Sequence, residues 1–191
     1  MPSDVFEQHL KSLAQELGLQ IRRMSAFDIR VEDWVRLKCQ YGCPNYGRRL
    51  TCPPYSPEPA TMRAIMENYE TAFLLRFDAP ARSREADMAV EKDGMEQAID
   101  AFLRLERFAF LNGYPKAFTF GLNYCPGCHV CSVEEGAGAC KRPQMARPSP
   151  ESCGIDIRKL LESVGWDRDA RGIDVLKKED RVSLISLLLL E

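Results

Sequence analysis

Two tight groups of cysteines constrain this chain more than any other feature. The first runs Cys39-x3-Cys43-x8-Cys52 and the second Cys125-x2-Cys128-x2-Cys131-x8-Cys140, with Cys153 standing apart. Thiolates this crowded usually hold a soft metal ion or an iron–sulfur cluster. All eight cysteines are therefore candidate cofactor and metal ligands. They define two cysteine-rich loops, about residues 39–55 and 124–148.

The rest of the chain favours ligands over disulfides. Its 191 residues fit one domain, large enough to bury a core without disulfide staples. Met1-Pro2-Ser3-Asp4 starts no signal peptide, since it lacks both a basic and an apolar region. The expectation is a cytoplasmic protein, whose thiols stay reduced. The apolar run Leu184 to Leu190 is too short to span a bilayer. A formal net charge of −2 gives no electrostatic case for nucleic acid or a membrane surface.

Hydrophobic spacing predicts the elements. Val5, Phe6, His9, Leu10, Leu13, Ala14 and Leu17 recur at helical intervals behind Ser3, so residues 4–17 read as a helix. His9 lies on that stripe and reads as a packed or boundary residue rather than a ligand. Residues 19–31 alternate as strands do. Val35, Leu37 and Cys39 alternate too, which predicts a short strand leading into the first cysteine loop. Ser56-Pro57 signals a helix reaching about Tyr69. The apolar run Thr71 to Phe77 fits a strand buried on both faces. A long helical pattern over 83–112 follows, then a strand from Ala117 to Leu122 that feeds the second cysteine loop. Ser149-Pro150 predicts another helix, to about Val164, and Arg181 to Leu190 a closing strand. The sum is an α/β fold: a single domain with a layered sheet, flanking helices and two cysteine loops following strands. If the loop-bearing strands were parallel neighbours, both loops would leave one sheet edge.

The spacing of the second group carries the most chemistry. Three cysteines two residues apart can wrap one corner of a compact cluster, and Pro126 and Gly127 permit the turns. Cys140 can close the same cluster or serve a second one. Structural zinc, which usually pairs two separate Cys-x2-Cys knuckles, is the weaker alternative. Cys125 to His129 also fits a haem c attachment pattern, but that leaves Cys131 and Cys140 without purpose. A thioredoxin-like pair leaves the third cysteine unexplained.

Cys39, Cys43 and Cys52 supply three thiolates, so the fourth position of a first cluster decides its chemistry. Either Cys153 fills it, placed in the first turn of the predicted Ser149-Pro150 helix, or one iron stays open to substrate. An inert buried thiol at Cys153 is an equal alternative, because Cys153, Ile157, Leu160 and Val164 also form an apolar stripe. Arg48, Arg49, Lys141, Arg142 and Arg147 surround the loops and suit an anionic cluster. No Walker loop and no strand followed by Gly-x-Gly-x-x-Gly marks a nucleotide or flavin site.

These stretches resemble the predicted metal-binding proteins of domain of unknown function 2284. The resemblance rests on Cys39 to Gly47, Cys52 to Pro57, Cys125 to Cys131, Cys140 to Pro143 and Ala146 to Asp156. It implies metal binding and suggests anaerobic or redox metabolism. The leading expectation is a protein with one or two [4Fe-4S] clusters that passes electrons to a redox partner protein. An enzyme with an open iron is the second, its small-molecule substrate flanked by Tyr41, Tyr46, Arg48, Arg49 and Tyr55. A zinc-stabilised interaction module is the third.

Overall fold

The computed structural model describes residues 2–80, 92–166 and 181–191. Helix α1 (Asp4–Glu16) begins where the Ser3 side chain accepts the Phe6 amide, and it buries Phe6, Leu10 and Ala14. His9 is exposed on this helix, not packed. The chain continues through β1 (Leu19–Ser25), α2 (Val35–Gly42), α3 (Pro59–Met66) and β2 (Thr71–Pro80). Then come α4 (Lys92–Leu111), β3 (Phe118–Thr119), α5 (Ile157–Ser163) and β4 (Arg181–Leu190).

The strands form one sheet in the order β1-β2-β4-β3, and every pairing is antiparallel. Strand alternation sorts its side chains into two layers. Phe73, Leu75, Leu184, Leu188 and Leu190 face α1 and α4, where Leu10, Phe102 and Leu105 complete the packing. Ala72, Leu74, Leu187 and Leu189 face the other way, against Met62 and Met66 of α3 and Leu160 and Leu161 of α5. The central strands β2 and β4 are thus covered on both faces, as their continuous apolar runs require. The α/β layering expected from the sequence is present.

Local departures concern the elements around the cysteines. The expected strand at Val35–Cys39 is helix α2, which buries Val35 and leaves Leu37 exposed. Val35 and Cys39 are one helical turn apart, so they share a helix face as readily as a strand face. The first cysteine loop therefore follows a helix, and the premise of two parallel loop-bearing strands fails. Helix α3 starts at Pro59 behind Glu58, two residues later than Ser56-Pro57 suggests. The Ser149-Pro150 signal opens only a 3-10 turn, Glu151–Cys153. Gly154 then breaks the helix at φ 89°, and α5 restarts behind Asp156, whose side chain accepts the Lys159 amide. The long helix is described from Lys92, and the earlier part of its expected span lies outside the described residues.

Two glycines hold the cysteine segments against the body. A Cβ on Gly121 would lie 2.4 Å from the Arg147 carbonyl oxygen, so only glycine lets the returning end of the second loop touch the strand it left. The Gly121 amide donates to the Pro148 carbonyl there, at 2.8 Å. A Cβ on Gly154 would meet Pro59 at 3.0 Å and the Glu32 carbonyl at 3.2 Å. That close approach seats the 3-10 turn beneath α2 and is tied by Glu32 N–H to Gly154 O at 2.8 Å.

Candidate metal centres

The first centre is assembled from three separate segments. Helix α2 carries Cys39 one turn before Cys43, whose amide caps the helix by donating to the Cys39 carbonyl at 3.3 Å. Cys52 is buried in the turns that follow, where its carbonyl accepts from Tyr55 and Ser56 at 2.9 and 3.0 Å. The Pro53–Pro54 peptide beside it is cis. The Ser56 hydroxyl donates to the Ser152 carbonyl at 2.8 Å, which hooks this loop onto the 3-10 turn.

The thiols of this centre influence one another. Burial pushes the Cys39 thiol up, and Cys43 and Glu151 add to the rise while Arg36 opposes it. Burial pushes Cys52 up to about 11; the Thr51 hydroxyl opposes this, and Cys43 and Cys39 add to it. Cys153 is wholly buried, and that burial pushes its thiol up to about 12. Its charged neighbours are Arg36 and Glu151, with Cys39 beside them. The structure thus brings Cys153 toward the first group, although it packs in the apolar layer with Ile155 and Leu160. The helix-start stabilisation of a Cys153 thiolate, expected from Ser149-Pro150, is absent because no α-helix starts there. Glu151, a partly exposed residue, has its carboxyl pushed up by burial.

The second centre is one continuous loop. Cys125, Cys128, Cys131 and Cys140 line a single cavity, and the first loop supplies its other wall through Arg49, Leu50 and Thr51. The cavity is about 20 Å3, far below the roughly 300–1,000 Å3 of sites for organic ligands. Burial pushes the Cys125 thiol up; the Gly127 amide opposes this, and Cys140, Cys128 and Cys131 add to it. The Arg142 amide donates to the Cys140 sulfur at 3.4 Å. The thiols are not already gathered as ligands of one ion: among the described residues, no group of three or more His, Cys, Asp or Glu side chains meets that condition. All eight cysteines are free thiols.

The two loops are stitched together. Arg48 donates to Glu134 at 2.7 Å, and this ion pair holds the Glu134 carboxyl below the usual range. The Arg49 guanidinium lies 4.7 Å from the Tyr124 ring centre and donates to its hydroxyl at 3.2 Å. Asn45 reaches the Asn123 carbonyl at 3.4 Å. Lys141 pairs with Glu135, and Arg147 binds Glu106 at 2.6 Å beneath the second loop. The cations expected around the loops are therefore mostly committed to ion pairs. Tyr41 and Tyr55 are exposed rather than lining a pocket.

Sequence reasoning passed over Thr51, Tyr124, Glu134, Glu151 and Arg36. Only contacts across more than seventy residues reveal most of them, and no local pattern marks them. Thr51 is the most informative. It is 7% exposed, and the contact its hydroxyl makes is with the neighbouring Cys52 thiol, whose rise it opposes; the buried Nε of Arg49 has no partner. Native proteins rarely leave buried donors unpaired. Both residues line the four-thiol cavity, so an anionic inorganic group there would meet thiolate ligands and waiting donors. The residues present fit such a group.

The family model for predicted metal-binding proteins of domain of unknown function 2284 matches residues 22–190. No curated protein and no solved structure matches the chain.

Proposed function

The chain belongs to the predicted metal-binding protein family, domain of unknown function 2284, and from that premise we propose that it carries two thiolate-held [4Fe-4S] clusters and moves electrons. Cys125, Cys128, Cys131 and Cys140 would hold one cluster; Cys39, Cys43, Cys52 and Cys153 would hold the other. The observation that carries this reading is the cavity lined by four cysteines and walled by the first cysteine loop. When bound, such clusters supply one-electron storage in steps small enough to relay.

The chain's own residues would provide the rest. Helix α2 and the Glu151–Cys153 turn would fix the first set of thiols against the sheet, where burial excludes water. The Arg48–Glu134 and Arg49–Tyr124 contacts would hold the two centres at a fixed separation. Val130, 41% exposed between Cys128 and Cys131, would present the second centre to a redox partner protein. A reducing compartment such as the cytoplasm would keep the eight cysteines available as ligands.

The small volume of the four-thiol cavity favours one other reading, a structural zinc ion that the same four cysteines would hold. Iron, zinc and acid-labile sulfide counts on anaerobically purified protein, with electron paramagnetic resonance after reduction, separate the two. Iron with matching sulfide and a reduced-cluster signal is expected. Stoichiometric zinc without sulfide would replace the electron-transfer reading by the structural one.

A further inference from the structure

We propose that Arg49 and Thr51, carried by the first cysteine loop, are hydrogen-bond donors to the anionic group held by Cys125, Cys128, Cys131 and Cys140, so that the second centre is completed by the loop of the first. The inference rests on the functional reading only in taking that group to be anionic. Tetrathiolate zinc would satisfy this as a cluster does.

Three observations converge. Arg49 and Thr51 lie on the wall of the four-thiol cavity. Arg49 Nε is buried without a partner, and the buried Thr51 hydroxyl meets only the Cys52 thiol beside it. Arg49 is otherwise held in place, its Nη2 on the Tyr124 hydroxyl and its guanidinium carbon 4.7 Å from the Tyr124 ring centre. Its position is thus fixed independently of its free Nε–H. A buried donor with no acceptor destabilises the protein that carries it. Such a donor in the wall of a four-thiol cavity, with the Thr51 hydroxyl beside it, is explained if an acceptor arrives with the metal.

Thiolate and sulfide sulfurs bound to a metal are such acceptors. Donors to them raise the affinity of the site and, for a redox cluster, raise its potential by favouring the more negative reduced state. Thr51 also adjoins Cys52, the buried thiol of the first centre. The short stretch from Arg49 to Cys52 would then touch both centres. Filling the first would fix the wall of the second.

The test compares Thr51→Val with Thr51→Ser in the full chain, each metal-free and metal-loaded. Valine keeps the shape and removes the hydroxyl; serine restores it. Metal-free Thr51→Val is expected to melt near the wild-type temperature, because it loses only the weak contact of the hydroxyl with the Cys52 thiol. Its loaded form should hold metal at the second centre about 10-fold more weakly, the scale of a lost supporting contact. The share of metal released should match the share that Cys128→Ser removes. Thr51→Ser should restore retention. Arg49→Lys, which keeps the charge but loses the Nε–H together with the Tyr124 contact, should weaken retention in the same direction, and further than Tyr124→Phe, which loses only the hydroxyl contact; it gives a second reading if valine at 51 fails to fold. For an iron–sulfur protein both changes should lower the second centre's potential.

Metal-free Thr51→Val melting below wild type with unchanged retention would overturn the proposal, since the hydroxyl would then be structural. A change confined to the first centre would overturn it as well. Metal identity in the wild type decides the iron–sulfur reading separately: a zinc protein whose retention still follows Thr51 would lose that reading and keep this one.

Discussion

The two thiol groups are built in opposite ways. Cys125, Cys128, Cys131 and Cys140 lie within one loop of sixteen residues, pinched at its neck by Gly121 against Arg147. Cys39, Cys43, Cys52 and Cys153 come from a helix, a turn and a distant 3-10 segment, joined by Ser56 to Ser152 and by Glu32 to Gly154. The local group depends on short links and small residues. The distributed group depends on the fold being already made, with Cys52 and Cys153 sunk in its body. A site made of sequence neighbours can be lost without the fold, whereas a site made of tertiary neighbours should lose and gain stability with it.

The strongest break of this comparison is removal of one ligand from each group. Cys128→Ser should abolish the second centre and about half the bound metal while leaving the first centre's spectrum intact. Cys39→Ser should abolish the first centre and, because it empties a site tied to α2 and the 3-10 turn, should lower the melting temperature of the loaded protein further than Cys128→Ser does. Metal counting and calorimetry on the pair check both statements. Equal melting losses would remove the distinction between local and distributed sites.

That distinction also explains what the sequence disclosed. The Cys-x2-Cys-x2-Cys spacing identifies the second group because its geometry is local. The closing strand was legible at Arg181–Leu190, and α1 nearly so, because uninterrupted apolar periodicity set their burial. Helix α2 was missed because the Val35, Leu37 and Cys39 alternation satisfied a strand, while exposed Leu37 showed only in three dimensions that it was accidental. The Ser149-Pro150 signal misled because Gly154 ends the turn after three residues. The approach of Cys153 to Cys39 spans more than a hundred residues and has no local signature.

A second test uses pH on the metal-free protein. Cys52 and Cys153 have thiols raised from an ordinary 9.0 to about 11 and about 12, chiefly by burial. The folded state therefore binds protons that the unfolded chain releases first. Their stabilising contribution is complete below pH 9 and is lost progressively as pH rises toward 11 and 12. Metal-free protein should accordingly lose stability across that window, mostly through the distributed group. If both sulfurs are ligands in the loaded protein they are thiolates there, so below pH 9 unfolding takes up protons and stability should rise with pH. Denaturant midpoints between pH 7 and 11 provide the check. A metal-free protein indifferent to this window would contradict the burial of the two thiols.

A smaller effect is expected at the neck of the second loop. Gly121→Ala places a methyl 2.4 Å from the Arg147 carbonyl oxygen, so backbone must move. Overpacking of this kind costs about 1–3 kcal/mol, a fall of roughly 2–4 °C per kcal/mol for a chain of this size. Metal retention at the second centre should weaken while the first keeps its spectrum. Weakening of both centres would mean that the neck supports the sheet rather than the loop.

The smallest effect on the metal-free fold, and the sharpest on the comparison, is expected from Cys153→Ala. The thiol is wholly buried in an apolar layer with Ile155, Leu160 and Phe120. Removing one sulfur from such a site costs about 1 kcal/mol, near the loss of a buried methyl group. Were packing its whole role, loaded and metal-free protein would lose that same amount, and both centres would persist. If Cys153 is the fourth ligand beside Cys39, the loaded protein loses the first centre's signal and much more stability than the metal-free one. The electrostatic closeness of Cys39 and the seating of the 3-10 turn beneath α2 support the second outcome. Paired melting curves with spectra of the first centre decide it. An intact signal that shifts when small thiols or anions are added would leave the fourth position open and turn the first centre from an electron carrier into a substrate-binding site.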